Sequence, residues 1–119
     1  MMSLAIDLAL AEDGDEVYLA MTDEDGVGVE GVLDAADLDD LIQRLGIVRS
    51  AMSDKVPERL EPSARVAAIR DPAWWCQPRT EDCAVCFRHP GFGWLAFGLP
   101  WREAKKLAEW LVKGPPENA

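Results

Sequence analysis

Hydrophobic positions alternate with small or acidic ones from the start of the chain. Leu4, Ile6, Leu8 and Leu10 are separated by Ala5, Asp7 and Ala9, the period of a strand with one buried face. Glu12-Asp13-Gly14-Asp15 breaks the run as a turn. Val17, Leu19 and Met21 resume the alternation, Asp23-Glu24-Asp25-Gly26 supplies a second turn, and Val27 to Leu33 reads as a third strand. The period then changes. Ala35, Leu38, Leu41, Ile42, Leu45 and Val48 recur at helical spacing, with Asp34 placed as an N-cap and Asp37 in the first turn. A helix is expected over 35–52, with Gly46 as the point where it shortens or bends.

The second half repeats this order. DKVPERLEPS (54–63) holds two prolines and mixed charge and reads as a connector, while 63–70 fits a short helix and a strand equally well. Trp74 to Gln77, Cys83 to His89 and Gly93 to Leu99 read as strands, separated by turns at 78–81 and Pro90-Gly91. Pro100 suits a first helical residue. Trp101, Ala104, Leu107, Ala108 and Leu111 mark the helix, which Gly114-Pro115-Pro116 stops.

A constant offset of 66 lays the halves on each other. It puts Val17 on Cys83, Leu19 on Val85, Met21 on Phe87, Val29 on Leu95 and Leu33 on Leu99, and upstream Leu8 on Trp74 and Leu10 on Cys76. The expected fold is therefore α+β: two tandem βββα repeats related by a pseudo-two-fold, in an antiparallel sheet with both helices packed on one face. One domain is expected over 1–119, with a first unit at 4–53, a connector at 54–69, a second unit at 70–114 and a tail at 115–119.

Charge changes the picture more than composition does. With 119 residues and 49% hydrophobic content the chain can build a core. The N-terminus lacks the positive flank of a signal peptide, apolar runs are too short to cross a bilayer, and three closely spaced cysteines suit reduced thiols, so a cytoplasmic location is expected. The net charge is −10, and 13 acidic residues precede the first basic one, Arg44; from there on 12 basic residues meet 9 acidic ones. Direct binding to nucleic acid or to an anionic membrane is not expected of such a chain. Asp13, Asp15, Asp23, Glu24, Asp25, Asp37, Asp39 and Asp40 instead form a candidate acidic face for a partner with a basic surface.

Cys76, Cys83, Cys86 and His89 fall in one short window and are the candidate metal ligands, since Cys-x-x-Cys with a following His is a zinc pattern. Strand alternation sends Cys83 and His89 to one face and Cys86 to the other. The offset also aligns the cysteines with Leu10, Val17 and Ala20, all apolar. Buried structural cysteines are the preferred reading, no cofactor is expected, and a zinc or small-ligand module is the alternative. No nucleophile–base pair, phosphate loop or nucleophile elbow is present in the sequence, so no enzyme is expected.

If the helices cover the face of Val17, Leu19 and Met21, the opposite face is unusual. In the second half it carries Ala84, Cys86, Trp94, Ala96 and Gly98, with Trp75 nearby. An apolar outward face suggests an interface, with Tyr18, Trp75 and Trp94 as anchors for a homodimer or another protein. The expected function is that of a small acidic, non-catalytic protein that docks on a protein partner. Its sharper form is an inhibitor whose carboxylates imitate nucleic-acid charge.

Overall fold

The computed structural model describes residues 3–61 and 66–115. The chain divides into two units, Met1–Glu61 and Pro62–Ala119, at a point inside the expected connector. The fold is α+β, with two three-stranded antiparallel sheets in place of the single sheet expected from sequence.

Unit 1 is a meander of β1 (Ala5–Leu10), β2 (Val17–Thr22) and β3 (Gly28–Leu33), followed by α1 (Ala35–Ala51). Leu8 stands opposite Leu19, and Leu19 opposite Gly31. Alternation then gathers Ile6, Leu8, Leu10, Val17, Leu19, Met21, Val29 and Leu33 on one face, here called the A face. Asp7, Tyr18, Ala20 and Glu30 lie on the other, the B face. Both turns are closed by aspartates. Asp13 Oδ1 accepts from the Asp15 N–H at 2.9 Å, and Asp23 Oδ1 accepts from Asp25 and Val27 at 2.9 Å each. Gly14 and Gly26 take the left-handed conformation that these turns require, with φ of 77° and 79°. Helix α1 opens with a reciprocal capping box between Asp34 and Asp37 and runs through Gly46 without interruption. Lys55 closes its far end by donating to the Ser50 carbonyl at 2.7 Å.

Unit 2 has β4 (Trp74–Pro78), β5 (Asp82–His89), β6 (Gly93–Pro100) and α2 (Trp101–Leu111). Pro100 ends β6 at the N-cap position, one residue before the place expected for it. Arg79 and Asp82 clamp the tight β4–β5 turn through Nε–Oδ1 at 2.6 Å and Nη2–Oδ2 at 2.9 Å. The hydrogen bond to Asp82, and then its charge, raise the Arg79 guanidinium above its ordinary pKa, so the clamp stays charged. Trp101 Nε1 donates to the Arg79 carbonyl at 3.0 Å and ties the start of α2 to that turn. Residues 66–70 form neither helix nor strand. The rest of 63–70, and Pro116 with the remainder of the tail, lie outside the described residues.

The offset of 66 holds across two strand pairs and fails at the third. Val17 faces Leu33 as Cys83 faces Leu99. Leu8 faces Leu19, however, while Trp74 faces Phe87. Trp74 therefore takes the place of Ile6, and Cys76 that of Leu8. The cause is a β4–β5 connection two residues shorter than the β1–β2 connection. An even slip keeps every side chain on its face, which is why the hydrophobic pattern did not reveal it.

The expected packing of both helices over a sheet is not what the units show. Among the described residues of unit 1, α1 leans on β3 alone, the strand it follows, whereas in unit 2 α2 leans on β5 and β6. Among the described residues Ala84 is the one buried hydrophobic side chain, and no large side chain is fully buried.

Candidate docking surfaces

The A face of unit 1 carries no ionisable side chain and is only partly covered: Val17, Leu19, Met21 and Leu33 are half-buried, while Leu8 is 61% exposed, Leu10 70% and Val29 62%. In unit 2 the corresponding face, with Trp74, Val85 and Phe87, is only partly roofed by α2. An apolar groove of about 430 Å³ remains between sheet and helix, lined by Trp74, Cys83, Val85, Leu99, Trp101 and Leu107 among others. The alternation predicts these faces as core and the opposite faces as the exposed ones. One signal pointed the other way. The central row of unit 1 is Leu8–Leu19–Gly31, and the position that Phe97 fills in unit 2 has no side chain.

The B faces hold the aromatic residues singled out from sequence. Trp75 and Trp94 come together around Cys86 and line a shallow hollow of about 330 Å³. Both are 56% exposed. Arg88 lies directly across from Trp94. Further along, the Arg79–Asp82 pair lies against Gly98, where an added Cβ would stand 2.8 Å from Asp82 Oδ2. Tyr18, 52% exposed, belongs to unit 1 and lines a separate hollow of about 450 Å³ with Asp7 and Glu30. Asp7, Ala20 and Glu30 form one cross-strand row, so this hollow has carboxylates on both sides.

The acidic residues divide by what their oxygens do. Asp13, Asp23 and Asp37 each accept from backbone N–H groups in a turn or cap. Asp40 pairs with Arg44 at 2.8 Å, and Glu24 accepts from the Ser3 N–H at 3.4 Å. Asp15, Asp25 and Asp39 make no side-chain hydrogen bond or ion pair among the described residues and are exposed. Part of the acidic pattern therefore builds turns and a helix start, and only part is available to an outside cation.

The cysteine–histidine window does not gather into one place. Cys76 and Cys83 share the A face of unit 2, and Cys86 stands on the B face. All three thiols are free. His89 Nδ1 accepts from the Gly91 and Phe92 N–H groups at 2.9 and 3.0 Å, and its ring stacks on Phe92 with centroids 4.3 Å apart. A ring nitrogen held in this way is an acceptor, so the neutral imidazole carries its hydrogen on Nε2. His89 closes the β5–β6 turn as Asp23 closes the β2–β3 turn. Among the described residues no group of three metal-ligating side chains converges, and no helix is long and apolar enough to cross a membrane. Comparison with family models, curated proteins and solved structures finds no match for this chain.

Proposed function

We propose that this is a small, non-catalytic cytoplasmic docking protein that presents an acidic unit to a protein partner with a basic surface. The observation that carries this reading is the division of charge between the units. Met1–Glu61 has 16 acidic and 4 basic residues, a formal charge of −12, while Pro62–Ala119 has 6 acidic and 8 basic residues, a formal charge of +2. Carboxylates on two hairpin turns and at the start of α1 are exposed, and several are oriented by backbone hydrogen bonds. Fixed, spaced carboxylates are suited to a surface built for phosphates, so a nucleic-acid-binding protein is the preferred partner class. Trp75 and Trp94, on unit 2, would supply apolar anchorage of their own.

The common order of strand, strand, strand and helix supports a further part of the reading, that the units are copies of one βββα module related by a pseudo-two-fold. The two-residue difference between their first hairpins is a simple length change in a loop.

The test separates charge from fold. Asp15→Asn, Asp25→Asn and Asp39→Asn together remove three negative charges without removing a carboxylate that closes a turn or caps the helix. Capture of partners from host lysate should fall by about tenfold in this variant, and by a similar factor for the wild type between low and high salt, because exposed charges are screened. Competition by duplex nucleic acid for the captured partner is expected as well. Capture that ignores both salt and the triple substitution contradicts the proposal.

A further inference from the structure

His89 is the one histidine of the chain, and the proposed docking surfaces do not use it. Its ring is half-buried at the end of β5. Nδ1 accepts from the Gly91 N–H at 2.9 Å and from the Phe92 N–H at 3.0 Å. A neutral imidazole has a single acceptor nitrogen, and here that atom takes both N–H donors of the loop. Pro90, the remaining loop residue, has no N–H to give. The ring also stacks on Phe92, with centroids 4.3 Å apart and planes 17° from parallel.

We propose that His89 is a pH-sensitive latch on the β5–β6 hairpin, closed by the neutral ring and opened when a proton from solvent takes Nδ1. With hydrogen already on Nε2, the Nδ1 lone pair is where an added proton must go. The imidazolium then has two donors and no acceptor, whichever way the ring is turned. The Gly91 and Phe92 N–H groups lose their partner, and a third N–H is set against them. Closure and protonation compete for one lone pair, so the latch is shut at higher pH and opens as pH falls through the range where histidine charges.

The surroundings do not hold the added charge in place. The hollow beside the ring is formed by Ile69 and Pro72 before β4, Phe87 in β5, and Leu95 and Phe97 in β6, with Arg88 its one other ionisable member. Arg88 is cationic and stands across from Trp94. Arg70 and Asp71, just before Pro72, are exposed, and among the described residues no carboxylate pairs with the ring.

The latch acts on the strand that carries Trp94. The Arg88 N–H donates to the Ala73 carbonyl at 2.9 Å, so the last rung between β5 and β6 is the His89–Gly93 pair. Trp94 follows at once. Opening the turn frays the start of β6, and with it one wall of the Trp75–Cys86–Trp94 hollow. In unit 1 the corresponding residue is Asp23, which accepts from the Asp25 and Val27 N–H groups. A carboxyl oxygen remains an acceptor whether or not the group is protonated, so that turn lacks the sensitivity.

Nuclear magnetic resonance on the full chain tests the latch, with the ring nitrogens and the turn amides followed as pH is lowered from about 7.5 until the ring charges. The neutral ring should carry its hydrogen on Nε2. On charging, exchange of the Gly91 and Phe92 amides should quicken at least about tenfold after correction for the intrinsic effect of pH, while the Asp25 and Val27 amides keep their protection. His89→Asn keeps an acceptor that does not titrate and should hold the turn closed at both ends of the range. His89→Phe keeps a ring against Phe92 without the acceptor and should leave the turn open at both. A neutral ring with its hydrogen on Nδ1 overturns the inference, as does protection of Gly91 and Phe92 that survives charging. Loss of protection in both units together, or an acid-sensitive turn in His89→Asn, also overturns it, because the sensitivity then lies elsewhere.

Discussion

The two units share an order of elements and differ in what they finish. Unit 2 ties its helix down: Trp101 donates to Arg79, Arg79 clamps Asp82, and α2 leans on β5 and β6. Unit 1 has no equivalent tie. Helix α1 begins with the stronger cap, yet among the described residues of unit 1 it leans on β3 alone, and the far edge of the sheet face, at Leu8 and Leu10, stays exposed. Local signals are thus as good in unit 1 as in unit 2, while tertiary closure is poorer. A good cap and a clean alternation decide that an element forms; they do not decide what covers it.

The comparison can be sharpened at one register position. Gly28 in unit 1 corresponds to Trp94 in unit 2. A Cβ at Gly28 would stand 1.8 Å from the Met21 carbonyl oxygen, a backbone atom that cannot swing aside. Gly28→Ala should therefore destabilise the protein by about 1–3 kcal/mol or more, read as a fall in denaturation midpoint. Gly31→Ala, where nothing lies within 4 Å, should leave stability nearly unchanged and serves as the control. Equal effects at the two glycines would break the distinction between a close approach and an open gap.

A smaller effect is expected at the helix starts. Asp34 accepts from the Asp37 N–H at 2.8 Å, whereas Pro100 offers α2 no side-chain cap. Asp34→Ala should cost about 1 kcal/mol by chemical denaturation. No loss would mean that α1 is held by something other than its cap.

Much of this architecture was legible in the sequence, for physical reasons that differ by element. The six strands and two helices announce themselves through period and turn chemistry: Asp25-Gly26 forces a hairpin, and Asp34 with Asp37 forces a helix start. The even slip at the first hairpin was hidden, because moving Trp74 from the place of Leu8 to that of Ile6 changes no face. The role of His89 was hidden too. Pro90-Gly91 after it marks the turn in the sequence, but that its Nδ1 closes this turn by accepting from Gly91 and Phe92 is not legible there. The incomplete cover of the A faces could not be read at all, since a strand covered by its own helix and one left half-exposed share the same alternation. The acidic pattern was legible as charge, but not as its division into turn-closing residues such as Asp23 and unoccupied ones such as Asp25.

The central contrast, a unit 2 whose helix is tied over its sheet and a unit 1 whose helix is not, is tested most directly by amide hydrogen exchange on the full chain. The amides of β5 should exchange more slowly than those of β2. Equal protection of the two central strands would contradict the account.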